Sequence, residues 1–326
     1  MNFDAITIGD YSLDIILEIS ENKEQVKVEP LNNSLILSRE DKILVDGFYS
    51  AIGGNACNVA VGLARLGLNT SYATFYGNEW WYENFLSEMQ SNKVDLSLTK
   101  KISQKAANYS TSLFFKNEKT MLVHNSVNAY ALDKEFPLPK ILYVSSIGPT
   151  YESFFEELSD FVYRHKTILA FNPASHQFTK TLSSYRNLLA VTEFLFVNKK
   201  EAQKILTTDE KSVSKLLSQL AELGVKSIIL TDQTNGAYLY FEEKTYFCPI
   251  FPLPVKQKTG AGDAFASGFL AGFFYQESPI DALRWGTFNS GSVVSKNGPH
   301  DGLLYKEEIE KFLNDNQTPK VEQVLL

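Results

Sequence analysis

Cysteine is scarce in this chain of 326 residues, which contains only Cys57 and Cys248. Two thiols are too few for the disulfide framework of a small secreted protein, and they favour a reduced protein. Long apolar runs are also missing, since the most apolar segment, 264–275, is too short to span a bilayer and is divided by glycines. Asp4 interrupts the N-terminus, where a signal peptide needs a continuous apolar run. We therefore expect a cytoplasmic protein without a membrane partner.

A block of like charge is absent as well. The 31 basic and 38 acidic residues give a net charge of −7, whereas a nucleic-acid-binding protein shows a basic patch or stripe. We therefore expect no nucleic-acid partner. Hydrophobic residues make up 44% of the chain and charged residues 21%, as in ordinary globular proteins. Because no repeat, low-complexity tract or linker divides the sequence, we predict a single domain over residues 1–326.

Several familiar catalytic motifs are missing. The sequence contains no P-loop, no GxSxG elbow, no HExxH and no paired-cysteine zinc pattern. The lack of GxGxxG after the first predicted strand argues against a dinucleotide-dependent oxidoreductase. The histidines show no metal-ligand spacing, and we assign no role to His124, His165, His176 or His300.

The most informative stretch that is present runs from residue 258 to residue 269. Gly260 and Gly262 flank Ala261 and leave a tight turn with uncovered amides, directly before an apolar helix face. Unpaired amides at the start of a helix bind anions. Asp263 follows this turn, where a carboxylate can take a proton from an approaching hydroxyl. The stretch indicates phosphoryl transfer to an alcohol, and the alternative is an ordinary loop with Asp263 as a helix N-cap.

Strand and helix patterns alternate from residue 141 onward. Helical patterns separate four short apolar runs, at 141–145, 168–171, 194–197 and 227–231. This alternation predicts βαβ units, and hence an α/β protein with a parallel sheet covered on both faces. Ligands bind such sheets at the carboxyl ends of the strands, where Asn172, Asn198 and Thr231 fall.

The earlier strands are predicted to form a small separate β unit. Its segments lie near residues 13–20, 42–51 and 108–124, with 21–33 as a loop. Asp14 interrupts an apolar run in the first segment, so it either faces solvent or contacts a polar ligand. Three tyrosines of this unit are within reach of a ligand: Tyr11, Tyr49 and Tyr109.

Two further patterns each allow a structural and a functional interpretation. Gly53 and Gly54 precede a helix for which Asn55 is the predicted N-cap, and glycines there either form a plain turn or let a ligand approach the backbone. Asn198 and Glu201 either form a capping box or hold a hydrated Mg²⁺ ion. The capping box is the simpler interpretation of the second pattern.

Together, the two glycine patterns resemble the two signatures of the ribokinase-like (PfkB) carbohydrate kinases. Residues 53–60 and 63–67 resemble the first signature, and residues 259–265 resemble the second, in the same order and at a similar separation. The resemblance extends over nearly the whole chain. It implies a three-layer α/β sandwich with a mostly parallel central sheet and a small β-sheet lid. It also implies transfer of the γ-phosphoryl group of ATP to a primary hydroxyl of a small carbohydrate.

The resemblance implies roles for individual residues. Asp263 is the catalytic base, and the anion hole is formed by Gly260, Ala261 and Gly262. Substrate hydroxyls are bound by Asp14, Gly53, Gly54, Asn55 and Asn58. The nucleotide is bound by Asn198, Thr231, Gly236, Thr259 and Asn289. Glu201 holds Mg²⁺ as part of an NxxE motif.

The chain departs from the family pattern at three places. The Asp-Thr-Thr that precedes the second signature is Gln257-Lys258-Thr259 here. That acid helps to bind a monovalent cation in many members, so the sequence leaves potassium activation open. Our hypothesis is that Lys256 or Lys258 supplies part of the missing positive charge. Asp232-Gln233 stands where a glycine usually follows Thr231. Residues 77–80 stand where the family has a Gly-Asp-Asp-like turn, and this difference leaves the assignment of substrate-binding residues there open.

Two other functions remain open at this point. A nucleoside kinase of the same family would take an adenosine-like acceptor, and a non-catalytic relative would act as a binding or scaffold protein. The resemblance further implies a homodimer formed through the lid. The sequence alone does not name the sugar.

Overall fold

A computed structural model of the chain describes residues 2–29, 31, 34–103, 107–116, 118–126, 128–276, 278–315 and 318–325. The strands are β1 (Ala5–Ile8), β2 (Ser12–Glu18), β3 (Val26–Glu29), β4 (Ser34–Leu37), β5 (Gly47–Gly53), β6 (Thr70–Ala73), β7 (Phe75–Tyr76), β8 (Lys100–Lys101), β9 (Asn108–Phe115), β10 (Glu118–His124), β11 (Ile141–Ser145), β12 (Ile168–Asn172), β13 (Phe194–Asn198), β14 (Ser227–Thr231), β15 (Ala237–Phe241), β16 (Lys244–Cys248) and β17 (Glu322–Val324). The α-helices are α1 (Asn55–Arg65), α2 (Tyr82–Ser91), α3 (Glu152–His165), α4 (Arg186–Ala190), α5 (Lys199–Leu206), α6 (Val213–Ala221), α7 (Ala261–Gln276), α8 (Pro279–Val294) and α9 (Lys306–Leu313).

One large sheet lies at the centre of the described part of the chain. It has nine strands in the order β17-β16-β15-β14-β13-β12-β11-β1-β6. Neighbouring strands from β14 to β6 are parallel, and those from β14 to β17 are antiparallel. Parallel neighbours need crossover connections, which the helices between them provide. The predicted mostly parallel sheet is confirmed.

Helices cover both faces of this sheet. Along β11, Ile141 and Tyr143 belong to a core that includes α1 and α7, while Leu142 and Val144 belong to a second core that includes α3 and α6. Successive side chains of a strand point to opposite faces, so the sheet separates two cores. The fold is therefore the ribokinase-like three-layer α/β sandwich that the sequence predicts. No described helix combines the length and apolar composition that a membrane span requires.

A four-stranded sheet stands apart from the large one, in the order β10-β9-β2-β5. It unites the three early segments that the sequence groups together, with β9 and β10 as a hairpin. Two details of the prediction are wrong. Strand β5 begins at Gly47 rather than near residue 42, and β3 lies inside the predicted loop 21–33. In β3, Val26 and Val28 alternate with charged residues, and Val26 packs in a small core. This alternation covers only four residues, so it does not stand out from the polar sequence around it.

Candidate active site

The two glycine motifs meet where α1 and α7 lie side by side. The side-chain nitrogen of Asn58, on α1, donates a hydrogen bond of 2.7 Å to Oδ2 of Asp263, in the first turn of α7. Asn58 is buried, and Asp263 keeps part of its surface accessible. The Ala264 amide already bonds to the carbonyl of Gly260, so Asp263 lies within the helix and is not its N-cap.

The environment of Asp263 suits a base that works near neutral pH. Burial raises the pKa of Asp263 to about 7, and the negative charges of Glu201 and Asp14 add to the rise. The hydrogen bond from Asn58 opposes it by stabilising the ionised form. A carboxylate with this pKa can take a proton from a hydroxyl and release it again near neutral pH.

The turn before Asp263 leaves open space at the start of α7. Gly260 has a φ of 78°, in the left-handed region, and a Cβ there would lie 2.9 Å from Pro299. A Cβ at Gly262 would meet nothing within 4 Å. Ala261 lies between them at the helix start, and its amide donates a hydrogen bond of 3.4 Å to the carbonyl of Lys258. Helical geometry supplies no carbonyl partner for the amides of Gly262 and Asp263. This arrangement can bind an anion.

The turn before α1 depends on Gly54 rather than on Asn55. Gly54 has a φ of 105°, and a Cβ there would lie 2.6 Å from the carbonyl oxygen of Asp10. Gly54 is the N-cap of α1, so the prediction of Asn55 as N-cap is wrong. The side chain of Asn55 instead donates a hydrogen bond of 3.1 Å to Oδ1 of Asn172, at the end of β12.

Asp14 faces two hydroxyl groups on the small sheet. Its Oδ1 accepts hydrogen bonds from Ser110 Oγ at 2.7 Å and from Ser12 Oγ at 3.1 Å. Burial raises the pKa of Asp14, and these two hydroxyls oppose the rise. Gly53 pairs with Ser12, and a Cβ at Gly53 would lie 2.5 Å from Oδ2 of Asp14. The absence of a side chain at Gly53 thus leaves room for the carboxylate.

Lys119 is a site residue that sequence reasoning missed. It lies on β10, on the same face of the small sheet as Asp14, and its Nζ is 3.5 Å from Oγ1 of Thr259. Its positive charge lowers the pKa of Asp14. The sequence places Lys119 only in a hairpin turn, and nothing in that pattern indicates a contact with a residue 140 positions away.

Three of the residues predicted to bind the nucleotide lie at the carboxyl end of the large sheet: Asn198, Thr231 and Gly236. Oδ1 of Asn198 accepts from the Glu201 amide at 3.0 Å, and Oε2 of Glu201 accepts from the Asn198 amide at 2.9 Å. The capping box is therefore confirmed at the start of α5. Thr231 lies beside Asn198 on the next strand, and Gly236, with a φ of 125°, follows in the turn after β14.

Glu201 and Asn198 also fit a magnesium ion that arrives with a nucleotide. Burial raises the pKa of Glu201, and its negative charge contributes to the raised pKa of Asp263. Protein sites usually hold Mg²⁺ through one or two carboxylates, with water and phosphate oxygens as the other ligands. Among the described residues, no group of three or more His, Cys, Asp or Glu side chains could hold a metal.

Asn289, which the sequence predicts to bind the nucleotide, makes its side-chain hydrogen bonds within the protein. Its side chain is fully buried between α7 and α8. The nitrogen donates to the carbonyl of Ala264 at 2.8 Å and to Oγ of Ser267 at 3.1 Å, while the oxygen accepts from the Leu304 amide at 2.9 Å. Through these contacts, the amide group of Asn289 links α8 to α7 and to the segment before α9.

Tyr11 is also turned away from a ligand. It is buried, and its hydroxyl donates a hydrogen bond of 3.2 Å to Oε2 of Glu79. Glu79 further accepts from the amides of Gly77 and Ala107, each at 2.8 Å. The turn at 77–80 that departs from the family pattern therefore carries a buried structural carboxylate.

A cavity of about 260 Å³ adjoins the small sheet. It lies between β5, α2 and the loop after α8, and polar groups dominate its lining. The lining residues are Leu13, Tyr49, Ser50, Ala51, Ile52, Asn84, Glu88, Gly298, Pro299, His300 and Asp301.

Comparisons with known proteins identify the family of this chain. Residues 25–304 match the pfkB family carbohydrate kinase model. Similar sequences include a 5-dehydro-2-deoxygluconokinase of Clostridium tetani, 22% identical over 85% of this chain and 88% of that protein, and a cytidine kinase of Thermococcus kodakarensis, 25% identical over 76% and 88%. The ribokinase of Arabidopsis thaliana, complexed with ribose and ATP, has a TM-score of 0.80 at 17% identity over 97% of this chain and 100% of that chain. The chain belongs to the pfkB family of carbohydrate kinases, which are phosphotransferases with an alcohol group as acceptor.

Proposed function

We propose that the protein transfers the γ-phosphoryl group of ATP to a primary hydroxyl of a small carbohydrate, with Asp263 as the base. The observation that carries this proposal is the 2.7 Å hydrogen bond between Asn58 and Asp263, which joins the two signatures at one site. The negative charge of Asp14 also raises the pKa of Asp263, which supports a single site for the acceptor and the phosphoryl group.

The chain's own residues supply the proton transfer and the charge stabilisation. Asp263 takes the hydroxyl proton while the acceptor oxygen bonds to the γ-phosphorus, and the bond from that phosphorus to the β–γ bridging oxygen breaks as ADP leaves. The transition state of such transfers is loose, so catalysis depends on positioning and on stabilising spread charge. The amides of residues 260–262 face the phosphoryl oxygens, and the ammonium group of Lys119, near Thr259, adds positive charge.

In this proposal the acceptor is bound by Asp14, Gly53, Gly54 and Asn58. The side chain of Asn55 is hydrogen-bonded to Asn172 and is therefore left out of this set. The polar cavity of about 260 Å³ adjoins this set through the chain neighbours Leu13 and Ile52, and none of the four residues lines it.

The nucleotide side uses the carboxyl end of the large sheet. Asn198, Thr231, Gly236 and Thr259 contact ATP, and Glu201 holds Mg²⁺ together with Asn198. When it is bound, the ion would neutralise part of the negative charge of the phosphates. Glu201 keeps its capping contact with the Asn198 amide through Oε2.

A nucleoside is the second candidate acceptor. Tyr49 pairs with Ile16, two residues from Asp14, so its ring lies on the Asp14 face of the small sheet. An aromatic ring there offers a stacking surface for a base. The similarity to a cytidine kinase supports the same candidate.

The remaining proposals concern organisation. The small sheet acts as a lid on a single domain over residues 1–326 and is the surface through which two copies associate. Lid closure excludes water and limits ATP hydrolysis. Cys57 and Cys248 are buried free thiols, which suits a reducing, cytoplasmic environment.

The decisive experiment measures ADP release from Mg·ATP with a panel of acceptors: D-ribose, D-fructose, 2-keto-3-deoxygluconate, 5-dehydro-2-deoxygluconate, adenosine and cytidine. We expect one of the sugars to be turned over, and Asp263→Asn to lower kcat by ~10²–10⁴-fold with ATP affinity nearly unchanged. Preference for a nucleoside supports the second candidate. ATP binding without transfer to any acceptor indicates a non-catalytic relative, and full activity of Asp263→Asn refutes the role of Asp263.

A further inference from the structure

His300 connects the catalytic hydrogen bond to a carboxylate on α2. Its Nε2 lies 2.9 Å from Oδ1 of Asn58, and its Nδ1 lies 3.0 Å from Oε1 of Glu88. The ring is buried. With the bond from Asn58 to Asp263, three hydrogen bonds run in series from Glu88 to Asp263.

The chemistry of these groups fixes the direction of the two bonds that the Asn58 side chain makes. The Asn58 nitrogen donates to the carboxylate of Asp263, so its oxygen must accept, and Nε2 of His300 must donate. On the other side of the ring, Nδ1 lies 3.0 Å from Oε1 of Glu88, and this contact holds the ring in its orientation.

This direction matters because an amide group has two ends of opposite character. If nothing donated to the oxygen of Asn58, the amide could rotate by half a turn and present that oxygen to Asp263. The ionised form of Asp263, which acts as the base, would then face a second acceptor and would lose its fixed position. His300 removes that alternative, since its donor bonds only to the oxygen end.

We propose that His300 is a positioning residue, which keeps the amide nitrogen of Asn58 directed at Asp263 and so fixes the catalytic carboxylate. This role rests on the proposed function of Asp263. It gives Glu88, on α2, an indirect part in the same task, because Glu88 holds the ring of His300.

The surrounding contacts make His300 suitable for this task. Arg65, at the end of α1, donates from Nη1 to the carbonyl of His300 at 2.5 Å and to that of Leu303 at 3.3 Å. Its Nε donates to Oδ1 of Asn92 at 2.6 Å, and Asn92 donates to Oε1 of Glu88 at 3.2 Å. Through these bonds, Arg65 and Asn92 connect α1, which carries Asn58, to the loop that carries His300 and to α2, which carries Glu88.

The test is a double-mutant cycle on kcat. Activity is measured as ADP release from Mg·ATP with the fastest acceptor of the panel above, or with water where no acceptor reacts. We expect His300→Phe to lower kcat by ~10–100-fold with ATP affinity within about twofold of wild type, since small misplacements of catalytic groups carry costs of this size. In an Asn58→Ala background the same change should alter kcat by less than about twofold, because the residue through which His300 acts is gone.

A conservative variant separates positioning from folding. His300→Gln keeps a side-chain nitrogen that can donate to Asn58, so it should recover most of the activity lost in His300→Phe. If the role of His300 is purely structural, the two variants should have the same kcat per folded molecule. Melting temperature and circular dichroism report the folded fraction of each variant. Equal losses from His300→Phe in both backgrounds, or wild-type kcat in that variant, would overturn the proposal.

The pH profile supplies a second readout. The groups that change the pKa of Asp263 are Asn58 on α1, Glu201 on α5 and Asp14 on β2, and only Asn58 among them lowers it. If His300→Phe frees the Asn58 amide, the acid limb of kcat should move to higher pH, and a structural role would leave it in place. An inactive Asp263→Asn with a normal His300→Phe refutes only this inference, whereas an active Asp263→Asn refutes the proposed function as well.

Discussion

The side-chain oxygen of Gln257 accepts a hydrogen bond of 3.1 Å from the backbone nitrogen of Gly298. This bond joins the segment before α7 to the loop after α8, at the position where the family resemblance places the acid of a monovalent-cation site. Lys256 and Lys258 on either side are exposed. A neutral amide therefore occupies the position, and it already has a partner in the protein.

We expect potassium to have little effect on this enzyme. A neutral amide provides no charge to hold a monovalent cation, so exchanging KCl for choline chloride at constant ionic strength should change kcat by less than ~2-fold. Gln257→Asp shortens the side chain, breaks the contact with Gly298 and adds a negative charge, so potassium should stimulate this variant more than wild type. Strong potassium activation of the wild type would contradict the prediction.

Removal of the Asp263 carboxylate should stabilise the protein. The pKa of Asp263 is raised to about 7 in the folded state, from an ordinary value of 3.8, so the folded state binds the proton more tightly than the unfolded state. The stability contributed by that proton is complete below pH 3.8 and is lost as the pH rises through 7. At pH 8, Asp263→Asn should therefore melt ~2–6 °C above wild type, after allowance for the partial exposure of this side chain.

The control for this stability prediction is the same comparison at pH 6, where the folded wild type is largely protonated at Asp263. The difference in melting temperature between variant and wild type should be smaller there than at pH 8. An Asp263→Asn variant that melts below wild type at pH 8 would show that the ionised carboxylate stabilises the fold.

The sequence predicts the features of this protein that depend on local pattern. Phe269 and Phe273 lie on one helix face as predicted, and both pack against Phe194 of β13. Asn198 and Thr231 lie at neighbouring strand ends, because the carboxyl ends of parallel strands share one edge. Such features follow from period and from turn chemistry.

The features that sequence reasoning missed depend on contacts between distant segments. His300 lies 242 positions from Asn58, and no pattern around either residue indicates the contact. A polar residue near a signature can also bond to protein rather than to ligand, as Asn289 does between α7 and α8. Residue type reveals the capacity for a hydrogen bond, whereas only the packed structure reveals its partner.

Gly62 allows the close approach of α1 to α7. A Cβ at this position of α1 would lie 2.5 Å from Cβ of Ser267 on α7. Gly62→Ala gains up to ~1 kcal/mol of helix propensity, but forcing the helices apart costs ~1–3 kcal/mol or more. We expect a net loss of stability in thermal unfolding and a lower kcat, because Asn58 and Asp263 lie on the same two helices.

The matched control for Gly62→Ala is the double variant with Ser267→Gly, which restores room for the added methyl group. Its kcat should be closer to wild type than that of Gly62→Ala alone. A Gly62→Ala variant with unchanged melting temperature and kcat would show that α1 and α7 can separate without consequence.

Glu201 is expected to serve both as a cap and as a magnesium ligand, and two substitutions separate these roles. Glu201→Gln keeps an oxygen that can accept from the Asn198 amide, so its melting temperature should stay near that of wild type, while the loss of charge should raise the Mg²⁺ concentration for half-maximal activity by ~10-fold or more. Glu201→Ala also removes the cap and should lose a further ~0.5–2 kcal/mol of stability. Thermal unfolding and magnesium titrations of kcat check both variants, and a Glu201→Gln enzyme with the magnesium dependence of wild type would leave Glu201 with the cap alone.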